Sequence, residues 1–195
     1  MKKHLKTGLM YAALLVLLTG CGFSGSGGKL TANGISIDKK GVITQLIAED
    51  FSQSYYNADE LKGQIESMIK EVAGSADPSP IRMKSFQLSE DKKLSVQIEY
   101  DSSAFYKEFN QKELLCGTVA EAAKAGYTIP DLTKPEGGTI TAAELSGMQD
   151  QKIVVLEEAL QVAPPSQILG VSEGITVTAD NVAVKEGEEI GYILY

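Results

Sequence analysis

Pairs of adjacent acids, such as Glu49–Asp50, Glu157–Glu158 and Glu188–Glu189, are the side chains in this sequence best suited to acid–base chemistry. Cleaving a glycosidic bond takes two carboxyl groups about 5–10 Å apart, one on each side of the scissile bond. Neighbours on a strand point to opposite faces, so no doublet forms such a pair alone, and each reads as solvated surface. Other reactive groups are scarce. His4 is the single histidine. If it leaves with a cleaved leader, the remaining chain can build no histidine-based triad, Cys–His pair or His-containing zinc site. The spellings of a phosphate-binding loop and of a calcium loop are absent. The expectation is therefore no catalytic residue, no cofactor and no metal.

Aromatic side chains point to binding more than to reaction. Tyr55–Tyr56 and the group Tyr100, Phe105, Tyr106 and Phe109 have the flat faces and polar edges that stack on a sugar or a peptide, although the same spacing also suits a core. Cys116, in Glu113-Leu-Leu-Cys-Gly-Thr-Val119, has apolar neighbours and reads as a small buried residue, not a nucleophile. Gly117–Thr118 reads as helix punctuation, not as a ligand loop.

The elements that would position these residues follow from periodicity. Ile35 and Ile37 alternate with Ser36 and Asp38, the Asp38–Gly41 cluster supplies a turn, and 42–51 resumes as a strand, which predicts a hairpin. Asn57, Glu60 and the apolar set Leu61, Ile65, Met68, Ile69 and Val72, closed by Gly74, predict a capped amphipathic helix. After Asp77-Pro-Ser-Pro80 comes a second hairpin, in which Leu94, Val96, Ile98 and Tyr100 keep the period of a half-buried strand. A short helix is expected over 103–111. Thr118…Glu121 and Thr141…Glu144 each predict a capping box ahead of a glycine. Residues 128–140, rich in proline and glycine, are expected to form a mobile connection. Short strands are expected over 153–156, 168–172, 175–178, 182–184 and 190–195.

The N-terminal residues carry the most specific signal. Lys2, Lys3, His4 and Lys6 precede an apolar run from Leu9 to Leu18, shorter than the ~20 residues that span a bilayer. It leads into Leu18-Thr19-Gly20-Cys21, which resembles the lipobox of bacterial lipoproteins. The resemblance covers residues 1–21. It implies cleavage between Gly20 and Cys21, acyl chains on Cys21, and a protein held on the extracytoplasmic face of the cell membrane. Two chains would anchor it stably, where one binds only reversibly. Gly22 to Gly28 would serve as a flexible tether. Gly20-Cys21-Gly22-Phe23-Ser24-Gly25 also spells a dinucleotide loop, but without the preceding strand and following helix that motif requires.

Charge narrows the partners. There are 18 Lys and Arg against 26 Asp and Glu, a net −8 that loss of Lys2, Lys3 and Lys6 would deepen. Such a surface disfavours nucleic acid and gives no electrostatic hold on anionic lipid.

The expected fold is α+β: an antiparallel sheet built from hairpins, a few short helices on one face, and a C-terminal β-rich segment. Residues 1–20 are expected to be a signal peptide and 21–28 the lipidated cysteine and tether. Residues 29–195 are expected to form one domain, or two lobes (29–127 and 152–195) joined by 128–151. The expected function is a membrane-anchored, non-enzymatic domain that binds an envelope protein or glycan, or serves an envelope complex. The alternative is a carboxylate-dependent enzyme acting on envelope glycan or peptidoglycan.

Overall fold

The computed structural model describes residues 23–25 and 28–195, with side chains from Leu30 onward. The expected cleavage and lipidation residues, Gly20 and Cys21, lie outside the described residues, as does the expected signal peptide. Within the 21–28 stretch, β1 (Phe23–Gly25) pairs antiparallel with β2 (Gly28–Leu30) as a small ribbon.

The first expected hairpin forms from β3 (Gly34–Ile37) and β4 (Ile43–Asp50), in the register Ile37↔Ile43. Its turn is closed by Asp38, whose carboxylate accepts from the Lys40 and Val42 amides at 2.8 and 2.9 Å. Gly41 supplies the positive φ of 86° that the turn needs. The helix α1 (Ala58–Ala73) follows, capped by Asn57, whose side chain accepts from the Asp59 and Glu60 amides. Ile65 is its buried residue, while Met68 is exposed.

The second hairpin is β5 (Ile81–Leu88) and β6 (Lys93–Tyr100), and β6 buries every second residue, as its alternation predicts. Then come α2 (Ser103–Asn110), β7 (Leu114–Thr118) and α3 (Val119–Lys124). The 128–140 connection is not bare loop. It contains β8 (Leu132–Thr133) and β9 (Thr139–Ile140), which pair with each other and bury Leu132 and Ile140. Two apolar residues among so many turn formers gave too little periodicity to show this.

After α4 (Ala142–Leu145) the chain continues as β10 (Lys152–Leu156), β11 (Gln161–Ala163), β12 (Gly170–Val171), β13 (Ile175–Val177), β14 (Ala183–Lys185) and β15 (Gly191–Leu194). Both Thr-to-Glu capping boxes, at Thr118 and Thr141, are formed.

The architecture is the expected β-rich α+β fold, with the strands in two large sheets. One has the order β13-β14-β11-β3-β4-β6-β5, the other β7-β10-β15-β12-β8-β9. All pairings are antiparallel except β3 with β11, where Ile35 lies opposite Val162. The seven-stranded sheet therefore mixes strands from both ends of the described chain, and the division into sheets does not follow the 128–151 connection.

The main core lies where the two sheets face each other. Ile35, Ile98 and Tyr100 from the first sheet meet Val154, Leu156 and Ile193 from the second, with Ile65 of α1 and Tyr106 and Phe109 of α2 packed among them. The second sheet is buried on both faces. Ile153, Val155, Tyr192 and Leu194 point away from the main core, into a cluster covered by α3, α4 and the β8–β9 pair. This explains why β10 and β15 read as unbroken apolar runs and not as alternating ones.

Candidate functional site

Residues 51–57 connect β4 to α1, and all of them except Phe51 are exposed. Backbone bonds fix both ends: the Phe51 amide donates to Lys92 O at 2.8 Å, the Tyr56 amide to Gln53 O at 3.1 Å, and Asn57 caps the helix. On this frame three rings step from the core into solvent. Phe51 packs at the edge of the main core, Tyr56 stacks on it with centroids 4.8 Å apart, and Tyr55 meets Tyr56 edge-on at 4.9 Å. Tyr55 is 76% exposed and Tyr56 44%. The Tyr55 phenol, with Glu49 and Asp50 adding, pushes the Tyr56 hydroxyl above its ordinary range, so it stays neutral and can donate a hydrogen bond.

The other aromatic group behaves differently. Tyr100, Tyr106 and Phe109 are buried and packed edge to face, with Phe105 half-buried beside them. They surround a polar ring that the sequence did not reveal. The Tyr100 hydroxyl donates to Gln45 Oε1 at 2.7 Å, Gln45 Nε2 donates to Asn110 Oδ1, and Asn110 Nδ2 reaches back to the Tyr100 hydroxyl. Gln45 sits two residues from both Ile43 and Ile47 on β4, and that alternation was the available signal of its burial.

From α2 the Tyr106 hydroxyl donates to Glu158 Oε2 at 2.6 Å, tying the helix to the turn after β10. Burial, partly offset by that hydrogen bond and by Lys112, raises the Glu158 carboxyl above its ordinary value. A depression of about 400 Å³ is lined by Lys107, Gln111, Lys112, Glu113 and Glu157 among others, with Glu158 outside its lining. Its charges are largely paired: Lys107 contacts Glu113 at 2.7 Å, and Lys112 lies 3.9 Å from both Glu157 and Glu188. Tyr127 donates to Glu113 from the far side.

Of the acidic doublets, Glu157–Glu158 is half-buried, with Glu157 lining this depression, and Glu188–Glu189 is exposed. In the third, Asp50 pairs with Lys93 at 2.8 Å and Glu49 accepts from Asn33 Nδ2 at 2.7 Å. Lys185, unremarked in the sequence, is buried, and its ammonium donates to the Glu157 and Gly187 carbonyls at 2.8 and 2.6 Å. It shares a face with buried Ala183, two residues earlier, and desolvation lowers its pKa. Cys116 is half-buried overall, yet burial pushes its thiol up to about 12. Gly117 and Thr118 do serve as helix punctuation, since the Thr118 amide donates to Glu121 Oε2 at 2.7 Å.

Among the described residues no cluster of three or more His, Cys, Asp or Glu is arranged to hold a metal ion, and no helix is long and apolar enough to cross a membrane. Comparison with known protein families, curated proteins and solved structures finds no match in any of the three.

Proposed function

We propose that this chain is a lipid-anchored binding domain on the extracytoplasmic face of the cell membrane, without enzymatic activity, and that residues 51–57 are its recognition loop. The observation that carries the binding reading is the ordered stack Phe51–Tyr56–Tyr55, which leaves the Tyr55 ring 76% exposed. Large apolar rings held in water by a fixed backbone are characteristic of recognition surfaces, and a mixture of Tyr, Ser and Asn is the composition that binding loops favour. The anchor rests on Leu18-Thr19-Gly20-Cys21 and the apolar run before it.

Two measurements test the reading. Mass spectrometry of the protein made in a bacterium that processes lipoproteins should find an N-terminus at Cys21 carrying acyl chains; unmodified Cys21 would remove the anchor. Envelope material retained by the wild type should be lost from a Tyr55→Ala/Tyr56→Ala variant with an unchanged melting temperature. Equal retention by that variant would remove the loop from the function.

A second reading, a carboxylate-dependent enzyme acting on envelope glycan or peptidoglycan, is favoured by one observation. Glu158, next in the chain to Glu157 of the depression, has its carboxyl raised above its ordinary value by burial, the direction a general acid needs. Turnover of peptidoglycan fragments that disappears in Glu158→Gln would establish it in place of the first.

A further inference from the structure

Resting on the reading of 51–57 as a recognition loop, we infer that its ligand is an uncharged glycan, with a pyranose ring stacked on Tyr55 beside Tyr56. Three observations converge on that chemistry.

The first is the absence of charge. Phe-Ser-Gln-Ser-Tyr-Tyr-Asn contains no Asp, Glu, Lys, Arg or His in a chain of which 23% is charged. The loop's other exposed polar side chains are the hydroxyls of Ser52 and Ser54 and the amides of Gln53 and Asn57, the Asn57 oxygen being committed to the helix cap. Hydroxyls and amides both donate and accept, which suits a ligand made of hydroxyl groups.

The second is the sign of the rim. Glu49 and Asp50 precede the loop, and Asp59 and Glu60 open α1 behind it. Lys93 is committed to Asp50, and Lys92, whose carbonyl accepts from the Phe51 amide, is next to it in the chain. A phosphate-rich or otherwise anionic polymer would meet net repulsion here, whereas a neutral one would not.

The third is size. Two tyrosine rings offer a few hundred Å² at most, since an aromatic side chain buries about 150–250 Å². A stable protein interface takes about 800 Å² from each partner. One to four sugar rings match the smaller figure. Tyr56 has one face on Phe51 and meets Tyr55 at 74°, so the more exposed Tyr55 ring supplies the stacking face and Tyr56 the wall beside it.

The test uses the full lipidated chain in a detergent with a polyoxyethylene head, so that no sugar headgroup competes. The probes are the tetramers of N-acetylglucosamine, β-1,4-glucose and α-1,4-glucose. The sequence has eight tyrosines, seven of them after Cys21, and no tryptophan, so tyrosine fluorescence reports binding without an indole background. At least one tetramer should produce a saturable change with a Kd between about 10 μM and 10 mM. Tyr55→Ala should weaken that binding about 10-fold or more and Tyr55→Phe much less, because the ring and not the hydroxyl does the stacking. Failure of all three tetramers to bind below about 10 mM, or equal binding by wild type and Tyr55→Ala, overturns the inference. If the material retained through Tyr55 and Tyr56 in the envelope experiment proves to be protein or anionic polymer, the recognition-loop reading stands and the glycan inference falls.

Discussion

Cys116 and Glu158 are both pushed away from their charged forms, and the two shifts have different consequences. A thiol raised to about 12 is almost wholly protonated at neutral pH, so Cys116 should resist maleimide labelling in the native protein and react only on unfolding. Cys116→Ser replaces sulfur with a hydroxyl that needs a partner, and it should cost roughly 1–3 kcal/mol in a denaturant titration. Fast labelling without denaturant would show that the thiol is not shielded. Glu158 makes a prediction about pH. Its folded pKa is raised by burial, so the folded state binds the proton more tightly than the unfolded chain. Its contribution is fully present below the unfolded value and is lost as pH rises through the folded pKa. Glu158→Gln keeps an oxygen for the Tyr106 hydroxyl and removes the titration. Melting temperatures between about pH 4 and pH 7 should therefore fall less steeply in the variant than in the wild type. Parallel curves would show that Glu158 does not titrate in this window.

Among the elements, the pairing of β3 with β11 offers the clearest single-site test. A Cβ built on Gly34 would stand 2.6 Å from the Gln161 carbonyl oxygen, a backbone atom that cannot swing aside. Gly34→Ala should cost about 1–3 kcal/mol or more by prying the parallel pair apart, and hydrogen exchange should quicken in 161–163 before it does in β6. Exchange unchanged across β11 would mean the strands part without cost.

How far such elements could be read in advance depended on whether their signals were local. The two hairpins, α1 with its Asn57 cap, and the capping boxes at Thr118 and Thr141 were legible because alternation, helical spacing and cap chemistry act over a few residues. The β3–β11 pair was not, since nothing in Gly34–Ile37 specifies a partner more than a hundred residues away. β7, five residues long, and β11, three residues long, carried too little periodicity to register. At the candidate site the exposed pair Tyr55–Tyr56 was visible as types, but its difference from Tyr100 and Tyr106 depended on which rings the second sheet would cover.

On the scale of the whole molecule, the acidic surface should govern where the domain rests. With a formal charge of −8 before any loss of the N-terminal lysines, protein lacking residues 1–28 should not sediment with anionic vesicles at low salt, where repulsion is least screened. Co-sedimentation would reveal a membrane-binding surface that the charge conceals.

The position of β15 bears on the chain's history before it folds. Residues 191–194 lie inside the six-stranded sheet between β10 and β12, and their side chains reach both cores. A ribosome makes them after every other strand described here, so neither core can close until nearly all of this sequence has been synthesised. A nascent chain stopped at Ile190 should show no cooperative unfolding transition, which pulse proteolysis of stalled chains would detect. Late closure of this kind keeps the polypeptide open, and so threadable, through most of its synthesis.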